Sequence, residues 1–123
     1  HGQWPHARRA GGRRFCTHAS QTAASRRLNV IILPEAEDDI ADALDHYAAE
    51  APENVAAGFM SEVMRSVALL ADLPGLGHKV TPNARAVGLR RYPYNLVYCV
   101  TPDALVVVAV AHHKRDPRYW QAR

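Results

Sequence analysis

Basic, histidine and tyrosine side chains that could act on a phosphate group are concentrated in two short segments of the last third of the sequence. They are Arg90 and Arg91 in the first segment, and His112, His113, Lys114, Arg115 and Tyr119 in the second. An imidazole exchanges protons near neutral pH, and arginine and lysine stabilise negative charge on a phosphate. The two segments could therefore serve acid–base catalysis on a phosphodiester, or simply bind a polyanion.

Charged residues are unevenly distributed along the 123-residue chain. Residues 1–27 contain six arginines and no acid, residues 28–82 contain ten acids against two bases, and residues 83–123 contain seven bases against two acids. An acidic middle and a basic end in one small domain predict two oppositely charged surfaces. A chain of this length suits a single domain with one modest core, which excludes a large cleft between domains.

The first 27 residues show no hydrophobic period and are rich in Arg, Gly, Ala and Ser. We expect this segment to be a disordered extension, or sequence that derives from upstream of the domain or from cloning. Residues 28–123 are expected to form the folded domain.

From residue 28 onward the hydrophobic pattern predicts a strand followed by two helices. Leu28–Leu33 is short, apolar and rich in β-branched residues, as is typical of a strand. Pro34 and the acids after it suit the first turn of a helix, and the apolar stripe of this helix ends before Pro52. A second stripe over Val55–Leu70 predicts a second helix, which the segment Leu73–Gly77 ends. Two helices joined by a tight turn form an antiparallel hairpin.

Three further strands are predicted in the C-terminal half, at Ala86–Tyr92, Asn95–Thr101 and Leu105–His112. The turn residues Pro102 and Asp103 join the last two strands into an antiparallel hairpin. The order β-α-α-β-β-β indicates an α+β fold, in which the helical hairpin packs on one face of a small, mainly antiparallel sheet.

The two cysteines, Cys16 and Cys99, are far apart and match neither a disulfide framework nor a metal motif. Cysteine usage therefore favours a reducing compartment such as the cytoplasm. No apolar run approaches the roughly 18 residues that a membrane span requires. We expect no metal, no cofactor and no membrane association.

The C-terminal half closely resembles toxins of the RelE/ParE family. The resemblance lies in RRYPYNLVYCV at Arg90–Val100 and in VVVAVAHHKRDPRYW at Val106–Trp120, and it covers the chain from about Leu28 to Trp120. It implies a cytoplasmic toxin of a type II toxin–antitoxin system. A cognate antitoxin, encoded beside it, would neutralise the toxin in a heterodimer or higher hetero-oligomer. The family acts either by ribosome-dependent cleavage of mRNA or by poisoning DNA gyrase.

Cleavage of mRNA would require a base, cations and an acid around one phosphate. The candidates for these catalytic roles are Arg91, His112, His113, Lys114 and Tyr119. Because neighbouring strand residues face opposite ways, we expect only Arg91, Tyr98, one histidine and one of Lys114 and Arg115 to share the face that the helices leave open. The other histidine would pack at the strand end.

Contacts with the target or the antitoxin are expected from a partly overlapping group: Arg90, Arg91, Tyr98, Lys114, Arg115, Tyr119 and Trp120. Large aromatic residues and arginines are the usual anchors of protein interfaces. Alternatively, Tyr98 would be half-buried in its strand, Tyr119 and Trp120 would pack back on the sheet, and Asp116 would pair with Arg115 or Arg118.

The middle predicted strand, Asn95–Thr101, carries no arginine or lysine. A phosphate-cleaving site without a cation there would leave the charge of its transition state uncompensated. The sequence therefore favours the gyrase-directed branch, in which no catalytic residue is needed. A ribosome-dependent endoribonuclease and a non-catalytic nucleic-acid-binding module stay open as alternatives.

Overall fold

Two long helices lie against one face of a mixed sheet that has five strands in the part of the chain that the structure describes. The computed structural model describes residues 28–116, 118–121 and 123, so the expected N-terminal extension, residues 1–27, lies outside them. The helices are α1 (Pro34–Glu50), α2 (Glu53–Asp72) and the short α3 (Arg118–Gln121). The strands are β1 (Asn29–Ile32), β2 (His78–Thr81), β3 (Ala84–Gly88), β4 (Tyr94–Val100) and β5 (Ala104–His112).

The strands lie in the order β1-β5-β4-β3-β2, with β1 parallel to β5 and every other pair antiparallel. Because β5 is an inner strand with packing on both sides, its residues Ala104–Ala111 are all buried. Burial on both faces explains why this segment is continuously apolar rather than alternating.

Proline and acidic residues set the ends of the two long helices. Pro34 begins α1, where its missing N–H costs nothing, and Glu35 and Glu37 lie in the first turn at the positive end of the helix dipole. The helix ends at Glu50, and the N–H of the next residue, Ala51, donates to the Tyr47 carbonyl, because Pro52 disfavours a helical conformation at the residue before it. The α1–α2 hairpin predicted from the sequence is therefore present.

The main core lies between the helices and one face of the sheet. Phe59, Val63, Val67 and Leu70 project from α2 and are almost fully buried. They pack with inward-facing side chains of the two central strands: Leu96, Tyr98, Leu105, Val107 and Val110. Alternation along β4 separates its two faces, but Tyr98, expected on the open face, belongs to the face that the helices cover.

The α+β fold class is confirmed, whereas several element boundaries differ from the prediction. The strand predicted at Ala86–Tyr92 is β3, Ala84–Gly88, and the chain turns after it. Strand β2, which pairs with β3, was missed, although Pro82-Asn83 is a usual turn sequence. In this turn the Asn83 N–H donates to the Thr81 hydroxyl at 3.2 Å. The final short helix α3 was also not predicted.

Cys99 lies on β4, buried on the face of the sheet opposite α1 and α2. Its sulfur is disulfide-bonded. The sequence matches no disulfide framework and so did not indicate this bond. The other cysteine of the chain, Cys16, lies outside the described residues.

The loop between α2 and β2 is fixed by the buried side chain of Tyr98. The Tyr98 hydroxyl donates to the Pro74 carbonyl at 2.7 Å and accepts the Gly77 N–H at 2.9 Å. A Cβ at Gly77 would lie 2.7 Å from this hydroxyl and 2.7 Å from the Ala86 carbonyl, so only glycine fits there. Tyr98 therefore links the core to the loop that precedes β2.

Replacing Tyr98 by phenylalanine is expected to lower the free energy of unfolding by about 1–3 kcal/mol, because it removes both hydrogen bonds and leaves a buried N–H unpaired. Urea denaturation of purified protein measures this loss. Tyr47→Phe is the matched control, since the Tyr47 hydroxyl makes no hydrogen bond within the described residues. An equal effect of the two variants would contradict the assignment.

Candidate functional site

The turn between β3 and β4 and the C-terminal end of β5 meet at one end of the sheet. His112 is paired with Tyr94 across the β4–β5 ladder, and the His113 N–H donates to the Pro93 carbonyl at 2.8 Å. The two basic segments of the sequence therefore lie side by side. We call this surface the cationic end, formed by Arg90, Arg91, Lys114 and Arg115.

Unlike the other described arginines, the cations of this surface form no hydrogen bond or ion pair through their charged groups within the described residues. Within the described residues, the engaged guanidinium groups are those of Arg65 with Glu62, Arg85 with the Gly77 carbonyl, Arg118 with Asp116, and Arg123 with Asp39. Those of Arg90, Arg91 and Arg115, and the Lys114 ammonium, pair with no acid in the same residues. The cationic end thus concentrates four charges that are available to an external ligand.

The Arg90–Arg91 turn is held on α2 by the carboxylate of Glu62. The Arg90 N–H donates to this carboxylate at 2.8 Å, and the Arg65 guanidinium donates to both its oxygens. Arg91 has a left-handed backbone with φ of 69°, a conformation that costs free energy for any residue with a side chain. The Arg65 hydrogen bonds, aided by the Arg90 N–H, lower the pKa of Glu62 to about 2.

Replacing Glu62 by glutamine is expected to reduce the acid sensitivity of the fold. A carboxylate whose pKa falls from 4.5 in the unfolded chain to about 2 in the folded protein stabilises the fold above pH 4.5, and this stabilisation is lost as the pH falls toward 2. The difference in unfolding free energy between wild type and Glu62→Gln should therefore shrink over this range. Denaturant titrations at pH 7 and pH 3 measure it. Glu53→Gln, an exposed change on the same helix, should follow wild type, and a constant difference for Glu62→Gln would contradict the prediction.

Arg115 is fixed by stacking on an aromatic ring. Its guanidinium carbon lies 3.9 Å from the centre of the Tyr119 ring, and the Arg123 guanidinium carbon lies 4.9 Å from the same centre. The Tyr119 hydroxyl donates to the Asp39 carboxylate at 3.3 Å. Burial, together with the charge of Asp39, raises the pKa of Tyr119 to about 12. The ring is therefore held by its hydroxyl while Arg115 covers its face.

Asp39 is the centre of the network behind this stack. Its side chain is 9% exposed and pairs with the Arg123 guanidinium at 2.9 Å. Strand β5 continues past the end of its neighbour β1. In this part of β5, a bulge at Val108 shifts its register against β4. There the Val110 N–H donates to Asp39 at 3.1 Å, and Arg123 donates to the Val108 carbonyl at 3.0 Å. These contacts replace the missing strand neighbour and attach the C-terminal residues to α1 and β5.

His112 is part of the packing at the end of β5. Its ring meets the Tyr94 ring edge-on with centroids 5.1 Å apart, and its Nδ1 accepts the Lys114 N–H at 3.0 Å. His113, in the turn that follows, is exposed.

Comparison with known proteins identifies the family. The family model described as "ParE toxin of type II toxin-antitoxin system, parDE" matches residues 30–117. The chain belongs to this family. Among solved structures, a chain of the "Chromosomal ParDE TA system from P. aeruginosa" is similar, with a TM-score of 0.63 and 17% sequence identity over 70% of this chain and 96% of that chain. At this identity the likeness supports the fold. Among curated proteins none matches the chain.

In this ParE-family toxin, the face of the sheet opposite the long helices does not carry the expected site. That face is apolar and buried, with Val97, Val106 and Ala109 among its residues. Tyr98, expected on the open face, lies on the helix side and is fully buried. Alternation along β4 shows which residues share a face but not which face the helices cover, so the sequence placed Tyr98 on the opposite side.

The remaining predicted site residues are divided between the cationic end and the packing around it. Arg90 and Arg91 lie in a turn rather than on a strand, as β3 ends at Gly88. Trp120 is buried against the second face of the sheet and so cannot bind a target in this conformation. Asp116 pairs with Arg118, one of the two partners expected for it.

Sequence reasoning missed Asp39, Arg123 and Glu62. One signal was available, because Asp39 lies three residues after Ala36 and four before Ala43, within the apolar stripe of α1. An acid at such a position must find a partner when it is buried. Within the described residues no group of three or more His, Cys, Asp or Glu side chains could hold a metal ion, and no helix is long and apolar enough to cross a membrane.

Proposed function

We propose that this ParE-family toxin stops growth by poisoning DNA gyrase, and that a cognate antitoxin neutralises it in a heterodimer or larger hetero-oligomer. The observation that carries the proposal is the state of the side chains around the cationic end. Cleavage of mRNA needs a base and an acid aligned on one phosphate. Here the His112 ring packs edge-on against Tyr94 and is held through Nδ1 by the Lys114 N–H, and the Tyr119 hydroxyl is bound to Asp39 with its pKa raised to about 12.

Recognition without catalysis fits the same geometry. Arg115 stacked on Tyr119 has lost side-chain freedom before any partner binds, which lowers the entropic cost of forming a contact. Arginines and aromatic residues of this kind supply most of the binding energy in protein interfaces. A small toxin that acts by binding therefore needs only a few such anchors.

A supercoiling assay with purified gyrase and relaxed plasmid tests the proposal directly. The wild-type chain should inhibit supercoiling and produce cleaved plasmid, whereas mRNA from induced cells should show no defined cuts by primer extension. Defined cuts that require ribosomes, with gyrase activity intact, would instead establish the endoribonuclease alternative. Full gyrase activity and intact mRNA in growth-arrested cells would exclude both mechanisms.

The antitoxin should contact the cationic end with an acid-rich segment, opposite Arg90, Arg91, Lys114 and Arg115. Opposite charges at such a surface accelerate association and make it sensitive to salt. Because gyrase acts on chromosomal DNA, the proposed site of action is the cytoplasm. Co-purification of the protein encoded beside the toxin, lost on reversing the charges of Arg90 and Arg91 to glutamate, would support this contact.

A further inference from the structure

Two acids beside the cationic end, Asp116 and Glu62, are already occupied. Asp116 is bound by Arg118 through three hydrogen bonds from its guanidinium, and Glu62 is bound by Arg65 and by the Arg90 N–H. Within the described residues, the four cations of the surface therefore form no ion pair with an acid. They project from two neighbouring turns, so a ligand with repeated negative charges could contact them together.

Arg115 differs from the other three cations because its position is fixed. Its guanidinium lies over the Tyr119 ring at 3.9 Å, and the ring is attached through its hydroxyl to Asp39, which Arg123 and the Val110 N–H also hold. A guanidinium that stacks on a ring with its flat face directs its N–H groups outward, in its own plane. This arrangement matches two oxygens of one phosphate group.

We propose that the cationic end binds the phosphate backbone of duplex DNA, with Arg115 as its fixed anchor and Tyr119 as the residue that positions Arg115. The inference rests on the proposed function in one respect, since the DNA engaged in the cell would be the segment that gyrase holds. The toxin would then contact the DNA of the gyrase complex as well as the protein.

The distribution of apolar side chains favours a phosphate backbone over a protein surface as the ligand of the cationic end when no antitoxin is bound there. The exposed large hydrophobic residues of the described chain are Met64, Leu69, Leu73, Leu76 and Val80, which lie on α2, in the loop after it and on β2. None belongs to the cationic end. Protein interfaces depend on buried apolar and aromatic anchors, whereas binding to the DNA backbone needs only cations.

Binding of the full chain to a fluorescent duplex of about 20 base pairs, measured by anisotropy between about 50 and 200 mM salt, tests the inference. Arg115→Gln should weaken binding and lower the slope of log affinity against log salt by about 1, because one phosphate contact is lost. Lys79→Gln removes the same charge from β2 and should leave the slope unchanged. Because residues 1–27 carry six more arginines, the differences between variants are the readout. Equal slopes for the two variants would overturn the proposal.

Two substitutions distinguish the effect of the position of Arg115 on DNA binding from the effect of its charge. Tyr119→Leu keeps every charge and removes the ring on which Arg115 stacks. Tyr119→Leu should weaken DNA binding severalfold, and Arg115→Lys, a surface change that keeps the charge but not the planar fork, should do the same. Thermal unfolding verifies that the variants fold. Wild-type affinity in both Tyr119→Leu and Arg115→Lys would overturn the anchoring role.

A polyglutamate peptide, used as a second probe at the same salt concentrations, distinguishes phosphate from carboxylate ligands. Binding of DNA that is tighter than binding of polyglutamate, and sensitive to Arg115→Lys, supports the proposal. Equal or tighter binding of polyglutamate would overturn it in favour of an acidic protein ligand. Gyrase is absent from both the DNA and the polyglutamate binding measurements. A failure here therefore leaves the supercoiling assay informative, and a failure of that assay leaves the DNA measurements informative.

Discussion

Replacing Asp39 by alanine is expected to lower the free energy of unfolding by about 3 kcal/mol, at the low end of the range for breaking a buried ion pair. The change leaves the Arg123 guanidinium, whose side chain is 15% exposed, without its counter-charge. It also leaves the Val110 N–H without an acceptor at the bulge of β5. The value lies at the low end because a partly exposed arginine can turn toward water.

Asp38→Ala is the matched control for this prediction. Asp38 precedes Asp39 on the same turn of α1 but is exposed, so its loss should cost no more than about 1 kcal/mol through the helix dipole. Urea denaturation of Asp39→Ala, Arg123→Ala and the double variant gives the coupling free energy of the pair. A coupling near zero, or a loss for Asp39→Ala no greater than that for Asp38→Ala, would contradict the central role of Asp39.

The elements with a long and regular hydrophobic period could be predicted from the sequence. Helices α1 and α2 show apolar residues at steps of three and four over four to five turns, and prolines mark their starts. Strand β2 has only four residues, none of them buried, so it carries no hydrophobic pattern. This segment is a strand because it pairs with β3, not because of its own sequence. Such tertiary pairing overrides the local secondary-structure preference of the residues.

The candidate site was predictable in its residue types but not in its geometry. The sequence predicts a strand at Arg91 because Leu89 and Tyr92 continue the apolar pattern of β3, whereas the left-handed φ of Arg91 belongs to a turn. Because of the bulge at Val108, the residues of β5 that follow it face the opposite side of the sheet from the side that simple alternation predicts. A shift of one residue reverses the two faces of a strand. No sequence pattern marks this bulge, so the positions of His112 and Lys114 had to come from the structure.

The connection from Asp39 to Arg115 joins residues that are far apart in the sequence, which explains why the sequence did not reveal it. Asp39 lies in the acidic first turns of α1 beside other acids of the same type. Its burial and its four hydrogen bonds, from Tyr119, Arg123 and Val110, depend on where α3 lies against β5. The proposed anchor therefore depends on the stability of the C-terminal contacts, and Asp39→Ala should weaken toxicity as well as the fold.

Changing His112 and His113 together to glutamine is expected to leave growth inhibition unchanged. Glutamine retains polarity and approximate size but cannot act as an acid or a base, and its amide oxygen can accept the Lys114 N–H as Nδ1 of His112 does. If either histidine were a general acid or base of an endoribonuclease, the same change should reduce cleavage about a hundredfold or more. The two mechanisms therefore predict opposite results for one variant.

Arg115 and Tyr119, the proposed anchor residues, should differ from the two histidines: replacing them should reduce growth inhibition in the same assay. Arg115→Gln and Tyr119→Leu are expected to weaken gyrase inhibition by about thirtyfold, since an interface anchor typically contributes about 2 kcal/mol or more. Binding of each variant to the antitoxin, together with its thermal unfolding, establishes that it is folded. A folded His112→Gln/His113→Gln variant without toxicity would refute gyrase poisoning by recognition alone, because only loss of proton transfer would explain it.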